Sequence, residues 1–293
     1  MTNSGSNSLS VIDTLNLAVV ATIPVGQGPQ GVAVNAANNR VYVANVNSGT
    51  LSAVDITSNA LAATISVGSG PWGVALLPAA SRAYVTNSFS GTVSVIDTTS
   101  NSVVATVAVG SAPQGIAVNT ATSQFFVTNS GDNTVSVINA LNNSVTAVLS
   151  VGSAPQDIAV NSGTNRVYVA NSLSPILSVI NTVTSVVSAV TVGSFHKGVA
   201  VNASSNRAYL ANSTSGTVSV IDTTTNTELT SSASPIQVGS GPQGIAVKAS
   251  ANRVYVVNNG SSTVSVINTA SDANGVVATI SVGTSPKAVA VLP

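Results

Sequence analysis

The sequence predicts an all-β fold: a seven-bladed β-propeller with four-stranded blades. The first observation behind this prediction is a repeat of about 42 residues along a chain of 293. The second is that each repeat holds four short apolar runs. A fixed period in this range indicates stacked supersecondary units, and four strands per unit are typical of a propeller blade. The repeats start at a recurring Val-Gly pair, at Val25, Val67, Val109, Val151, Val192, Val238 and Val282.

The second repeat illustrates the strand pattern. Its apolar runs cover 73–76, 82–87, 92–97 and 103–107, and they are rich in Val, Ile, Thr and Tyr. Gly, Asn, Ser or Pro bounds each run, which is the usual signal of a strand. Helices are disfavoured, because Glu occurs once in the chain and no segment shows a 3.6-residue period.

The two ends of the chain predict ring closure. Residues 1–24 match the second half of a repeat, and residues 282–293 match the first part. We therefore expect one domain, 1–293, whose last blade is shared by both termini, since an open solenoid would need atypical polar caps instead. The shared blade lacks counterparts of residues 79–84, which we interpret as a trimmed start that weakens this blade locally. The predicted blades are 25–66, 67–108, 109–150, 151–191, 192–237, 238–281, and 282–293 together with 1–24.

Composition excludes several classes of function. Charged residues make up 5% of the chain, the formal net charge is zero, and no Lys/Arg cluster occurs, so we expect no nucleic-acid partner. No apolar run approaches the length of a membrane span. One His and no Cys predict neither a metal site nor any other cofactor. A surface rich in Ser, Thr and Asn suggests an extracellular, periplasmic or cell-surface protein, with the signal peptide absent from this sequence.

A recurring tetrapeptide carries a family resemblance. Residues 84–87 read Tyr-Val-Thr-Asn, and close variants fill the same place in the other repeats. Pro-Gln-Gly-Ile/Val-Ala-Val precedes the tetrapeptide and Thr-Val-Ser-Val-Ile-Asp follows it. With these flanks, essentially the whole chain resembles the YVTN-family β-propeller repeat proteins. The resemblance implies the propeller fold and an envelope or secreted location, and it implies no particular activity.

Most charges have a structural explanation. Arg recurs at the start of the second strand and Asp at the end of the third, so we expect Arg40–Asp55, Arg82–Asp97 and Arg207–Asp222 to pair across a hairpin. Where Asn replaces Asp, as at Asn181 and Asn268, an amide oxygen could accept from the Arg. A ring of arginines that binds an anion is the alternative.

The recurring Asn that ends the second strand is interpreted as turn chemistry in the hairpin loop. The preceding Tyr or Phe is interpreted as packing between blades.

The candidate site is a ring of seven residues at one mouth of the central channel. One residue of each Pro-Gln-Gly link should face this mouth, and the ring departs from Gln at three places. Sugars or carboxylates could bind such a rim of amide, indole and ammonium groups. The predicted members of the ring are Gln30, Trp72, Gln114, Gln156, Lys197, Gln243 and Lys287.

Two function hypotheses follow from these residues. Neutral drift of loop residues is the third interpretation, and it implies no function. The favoured one is a non-catalytic binding or scaffold propeller that presents the channel mouth to a glycan, peptide or protein. The alternative is a lyase or hydrolase in which His196, oriented by Asp157, is a general base and Lys197 or Lys287 holds a developing anion. Insertions around 228–235 and 271–275 should be mobile, lie between the third and fourth strands, and face away from the channel mouth.

Overall fold

The computed structural model describes residues 1–192, 195–230, 235–270 and 275–292. Its strands form seven antiparallel sheets arranged in a ring. Each sheet is a meander of consecutive strands. Within a blade, we call the strands first to fourth, counted from the channel outward. The chain is therefore a seven-bladed β-propeller, as the repeat predicts.

The strands are numbered in chain order, and blades are numbered from the first complete repeat. The N-terminal part of blade seven holds β1 (Thr2–Asn3), β2 (Ser8–Asp13) and β3 (Ala18–Pro24). Blade one holds β4 (Pro29–Asn35), β5 (Arg40–Asn45), β6 (Thr50–Asp55) and β7 (Ala60–Ser66). Blade two holds β8 (Pro71–Leu77), β9 (Arg82–Asn87), β10 (Thr92–Asp97) and β11 (Ser102–Ala108). Blade three holds β12 (Pro113–Asn119), β13 (Gln124–Asn129), β14 (Thr134–Asn139) and β15 (Ser144–Ser150).

The remaining blades follow the same order. Blade four holds β16 (Pro155–Asn161), β17 (Arg166–Asn171), β18 (Ile176–Asn181) and β19 (Val187–Thr191). Blade five holds β20 (His196–Asn202), β21 (Arg207–Asn212), β22 (Thr217–Asp222), β23 (Thr227–Glu228) and β24 (Ile236–Gln237). Blade six holds β25 (Pro242–Lys248), β26 (Arg253–Asn258), β27 (Thr263–Asn268) and β28 (Val276–Ser281). Single 3₁₀ turns occupy Ala36–Asn38, Pro78–Ala80 and Ala249–Ala251.

The first strands pack edge to edge around the channel. Neighbouring first strands, such as β4 with β8 and β20 with β25, contact each other directly. A glycine permits this approach: a Cβ on Gly115 would lie 2.6 Å from the carbonyl oxygen of Gln156 in the next blade. The Gly of each Pro-Gln-Gly link is therefore required by the spacing of adjacent blades.

The C-terminal segment closes the ring against β1. Backbone hydrogen bonds of 3.0 Å run from the Thr2 N–H to the Ala288 carbonyl and from the Lys287 N–H to the Thr2 carbonyl. A bridge pairs Asn3 with Pro286, and the Gly244 N–H donates to the Lys287 carbonyl, which ties blade six to the same segment. Pairing of the two termini thus supplies the innermost element of blade seven and joins it to blade six.

Three Arg–Asp pairs form as predicted. Arg82 lies opposite Asp97 in the register of β9 and β10, with Nη1 2.6 Å from Oδ2. The Arg40–Asp55 and Arg207–Asp222 pairs repeat this geometry in blades one and five. All six side chains are partly exposed, so solvent screens each pair and it contributes little to the stability of the fold.

The expected Arg–Asn pairs do not form. Arg166 instead donates to the carbonyl oxygen of Thr223 in the next blade at 3.0 Å, and Arg253 donates to the Asn252 carbonyl at 3.3 Å. The carboxamide oxygens of Asn181 and Asn268 accept from backbone N–H groups of their own turns. A neutral amide attracts a guanidinium less strongly than a carboxylate does. The Asn side chain therefore stays hydrogen-bonded to its own turn and does not pair with the Arg.

The recurring Asn that ends each second strand has a different role from the predicted one. Asn87 is fully buried, and its Nδ2 donates to Thr92 Oγ1 and Ser94 Oγ of the third strand, both at 3.0 Å. Equivalent bonds recur in all seven blades, with Ile176 O in place of the Thr hydroxyl in blade four. The Asn therefore joins two strands inside the blade and does not cap the loop.

The two insertions lie partly outside the described residues, namely at 231–234 and 271–274. In blade six the insertion separates β27 from β28, as predicted. In blade five it does not precede the fourth strand but interrupts it, because β23 and β24 both pair with β22. The third strand, β22, is long enough to pair with both β23 and β24. The insertion therefore falls in the sequence between these two short strands.

Candidate functional site

All seven predicted ring residues line one cavity at the channel mouth. The cavity has a volume of about 370 Å³ and is bounded by the starts of the first strands of blades one to six and by residues 287–289. The ring side chains are mostly half-buried, and they supply polar functional groups to the cavity. Apolar residues of the same strands and the carboxyl group of Asp157 also line the cavity. The ring residues in its lining are Gln30, Trp72, Gln114, Gln156, Lys197, Gln243 and Lys287.

The ring carries two ammonium groups. Lys197 and Lys287 come from blades five and seven, and Gln243 of blade six lies between them in the ring order. Burial, together with the charge of Lys197, lowers the pKa of Lys287. Neither lysine forms a salt bridge within the described parts of the chain. The mouth is therefore a place where an incoming anion would relieve repulsion between like charges.

Amide groups complete the ring, and one of them lacks a partner. The Oε1 atom of Gln114 is buried and accepts no hydrogen bond among the described residues. The Nε2 atom of Gln30 makes only a long bond, 3.4 Å, to Ser4 Oγ. A buried acceptor without a donor costs about 1–3 kcal/mol, so the Gln114 amide is the ring group with unmet hydrogen-bonding capacity in the described structure.

Threonines behind the ring orient its backbone, and sequence analysis missed this role. Thr2 Oγ1 donates to the Gln30 carbonyl at 2.6 Å, and Thr86 Oγ1 donates to the Gln114 carbonyl at 2.6 Å. Each bond spans adjacent blades. The signal was present as the Thr of the Tyr-Val-Thr-Asn motif, which faces the ring residue of the following blade.

The structure does not bring His196 and Asp157 together, so it does not support the alternative catalytic arrangement. His196 takes the position that Pro occupies in the other blades and is fully buried, with Nδ1 3.4 Å from Asn212 Oδ1. It does not line the cavity. Burial lowers the pKa of His196. A buried ring outside the cavity cannot reach a substrate there, and we therefore do not pursue a His196 general base.

Asp157 fastens two blades instead. Its Oδ1 accepts the N–H of Ile158 at 2.9 Å, and its Oδ2 accepts the N–H of Val199 in blade five at 3.0 Å. Burial raises the pKa of Asp157 to about 6, although the two N–H groups act in the opposite direction. The carboxyl group replaces the usual Gly at the edge of the cavity, where it holds the strand that carries Lys197.

We expect the stability difference between the native chain and Asp157→Asn to depend on pH. The folded-state pKa of Asp157 lies above its unfolded value, so protonation stabilises the fold fully below pH 3.8 and this contribution is lost as the pH rises through about 6. The native chain should therefore lose roughly 1–3 kcal/mol relative to the variant between pH 4 and pH 7. Urea unfolding at both pH values measures this difference.

Asp157→Gly is the matched control for this titration. It restores the residue found in the other complete blades and removes the carboxyl group without adding an amide. Both variants should show the same pH dependence relative to the native chain, whatever their absolute stability. A stability gap that is equal at pH 4 and pH 7 for both variants would show that Asp157 does not titrate as expected.

Within the described ranges, no cluster of three or more His, Asp or Glu side chains is arranged to hold a metal ion. Among the same residues, no helix has the length and apolar character needed to cross a membrane.

Solved structures support the fold. The chain is similar to a functionally unknown protein from Desulfotomaculum acetoxidans DSM 771, with 16% identity and a TM-score of 0.81, over 97% of this chain and 96% of that one. It is also similar to Kuenenia stuttgartiensis hydrazine synthase, with 16% identity and a TM-score of 0.76, over 89% of this chain and 88% of that one. U3-55K matches with 13% identity and a TM-score of 0.78, over 89% of this chain and 84% of that one.

These similarities concern the fold alone. No family model matches the chain, and no curated protein matches it in sequence. The structural neighbours carry very different names, and their identities of 13–16% are too low to transfer any of their functions.

Proposed function

We propose that this protein is a non-catalytic binding propeller whose channel mouth takes an anionic group of a glycan, peptide or protein partner. The observation that carries the proposal is the convergence of Lys197 and Lys287 on one cavity that four glutamine side chains also line. Trp72 in the same ring offers a flat apolar surface, on which a sugar ring can stack. Ammonium, amide and indole groups together suit an acidic sugar such as a uronate.

We further propose that the chain is a YVTN-family protein located outside the cytoplasm, in the periplasm, at the cell surface or in the medium. Residues 84–87 and the flanking motifs support the family proposal. The low charge and the abundance of Ser, Thr and Asn support the location. Fractionation of cells that express the tagged full-length gene tests the location, and a cytosolic pool alone would contradict it.

We expect galacturonate to stabilise the protein more than galactose does, because the two sugars differ only in the carboxylate. A ligand at about 100 times its dissociation constant adds roughly 2.7 kcal/mol, which a thermal-shift assay detects easily. The double variant Lys197→Gln/Lys287→Gln restores the ring consensus and should remove the difference between the two sugars. Increasing salt should weaken the galacturonate effect as well.

Lys248→Gln is the matched control, since Lys248 is the third lysine of the chain and lies away from the mouth, where its Nζ donates to Thr14 Oγ1. This variant should keep the preference for galacturonate. Equal stabilisation by galactose, or a preference that survives in the double variant, would refute the proposed anion site.

A further inference from the structure

The cavity at the channel mouth holds an acidic side chain that has no part in binding an anion. Asp157 is partly exposed and lines the cavity, and it is the one acidic residue among the described residues of the lining. It follows Gln156 on blade four, and Lys197 belongs to the next blade. The cavity therefore combines one carboxylate with the ammonium groups of Lys197 and Lys287.

The fold does not require a carboxyl group at this position. Asp157 stands where blade seven has Ala288 and the other five blades have Gly. These glycines are Gly31, Gly73, Gly115, Gly198 and Gly244. A Cβ on any of them would lie less than 3.0 Å from a carbonyl oxygen of the next blade, so a bare backbone suits this joint between blades. A carboxylate that loses water in such a joint is costly unless donors or an opposite charge meet it.

Backbone groups satisfy only part of the Asp157 carboxylate. Its two oxygens accept one N–H each, from Ile158 at 2.9 Å and from Val199 at 3.0 Å. An ionised carboxylate has about four acceptor sites, so about two remain free. Within the described parts of the chain, Asp157 forms no salt bridge. The two backbone bonds thus fix the carboxylate in place and leave it with capacity for a further donor from the cavity.

The three charges of the mouth suit a ligand that carries both signs. Lys197 and Lys287 attract a carboxylate, whereas Asp157 repels it. An ammonium group on the same ligand would be attracted to Asp157, and charge-assisted hydrogen bonds of this kind are about twice as strong as neutral ones. A sugar that carries only a carboxylate leaves Asp157 without a charged partner.

We propose that the mouth recognises a sugar acid that also carries a free amino group, with its carboxylate at Lys197 and Lys287 and its ammonium group at Asp157. This inference rests on the proposed anion site and adds the second charge of the ligand. It makes Asp157 the residue that selects among acidic sugars. Trp72 and the glutamines of the ring contact the uncharged part of the sugar.

Four sugars with the same ring configuration test the two charges separately. They are galactose, galacturonate, galactosamine and 2-amino-2-deoxygalacturonate, which combine a hydroxymethyl group or a carboxylate at C6 with a hydroxyl or an ammonium group at C2. Isothermal titration calorimetry at pH 7, above the pKa of about 6 that burial gives Asp157, measures the four affinities. The amino form of galacturonate should bind about tenfold tighter than galacturonate, which is the order expected of one hydrogen bond between charged groups.

Variants of Asp157 assign this effect to the residue. Asp157→Asn keeps an oxygen that can accept a backbone N–H but loses the charge, and Asp157→Gly restores the residue of the other links. Both variants should bind the amino form no tighter than galacturonate, and both should keep the preference for galacturonate over galactose that the lysines give. Asp132→Asn is the matched control, since Asp132 lies in an exposed loop, where its Oδ2 accepts the Ser111 N–H. This variant should keep the full preference for the amino form.

The outcomes distinguish a failure of this inference from a failure of the anion site. If galacturonate binds tighter than galactose but its amino form gains nothing, the anion site stands and a role of Asp157 in recognition is overturned. If galacturonate binds no tighter than galactose, the anion site itself is wrong and the role of Asp157 falls with it. A preference for the amino form that persists in both Asp157 variants also overturns the inference, because another group then holds the ammonium.

Discussion

Deleting residues 282–293 should destabilise the protein by about 5 kcal/mol or more. The deletion removes six backbone hydrogen bonds between the segment and its neighbours, four to residues 2–5, one to Gly244 and one to Ser262. At about 0.5–1.5 kcal/mol each, these bonds alone contribute several kcal/mol. The segment also packs Val282, Val289 and Val291 against the buried cluster of Met1 and Tyr255. Thermal and urea unfolding of the truncated chain measure the loss, which should lower the melting temperature by roughly 10 °C or more.

A shorter deletion is the matched control. Leu292 is 43% exposed and lies beyond Ala288, the last residue of the segment that bonds to β1. Removing only residues 292–293 should therefore change the stability little. Equal melting temperatures for the native chain and the chain without residues 282–293 would contradict ring closure through the two termini, since the open ring would then be as stable as the closed one.

The fold could be predicted from sequence because it is repeated seven times. A single Val-Ser-Val-Ile run is weak evidence for a strand, but this run or a close variant of it at the same place in every repeat indicates one architecture. The register of the second and third strands could be predicted in the same way. Arg82 and Asp97 are opposite each other because the hairpin between them has the same length in every repeat that carries the pair. Repetition averages out local ambiguity, and this averaging applies to everything that the repeats share.

Contacts that cross between blades could not be predicted in this way. His196 looked functional because it was unusual, yet it fills the buried position of a Pro and packs beside Asn212. Asp157 looked like its partner because both residues belong to neighbouring links. The structure shows that Asp157 reaches the backbone of Val199 instead. Sequence identifies which residue breaks the symmetry, but the direction of its side chain depends on the packing of two blades.

The recurring Asn shows a second limit. Its position before a loop suggested turn chemistry, and an amide can donate equally well to a loop carbonyl or to a hydroxyl across the hairpin. The Thr and Ser five and seven residues later, as at Thr92 and Ser94, were the signal for the cross-strand bonds. In the sequence, a polar pair that is buried inside a blade looks the same as an exposed polar pair, because burial depends on the folded structure.

Replacing Phe125 with Ala should cost about 3–5 kcal/mol, the range for truncating a buried aromatic residue. Phe125 is fully buried in blade three at a position where the other complete blades carry Val or Ala. Its ring stacks on Tyr84 of blade two, with the ring centroids 4.4 Å apart and the planes inclined by 29°. Truncation leaves a cavity between two blades that neither sheet can fill, because both are held by their inner strands. Urea unfolding at equilibrium measures the cost.

Phe89→Ala is the matched control, because Phe89 is 72% exposed and its truncation should change the stability by no more than about 0.5 kcal/mol. A double-mutant cycle with Tyr84→Ala then isolates the contact between blades. We expect a coupling of about 0.5–1.5 kcal/mol between Tyr84 and Phe125. If Phe125→Ala costs no more than Phe89→Ala, or if the cycle shows no coupling, the two blades are not held together by this stack. Blades two and three would then depend on their inner strands alone, and the ring closure tested by the terminal deletion would carry correspondingly more of the stability.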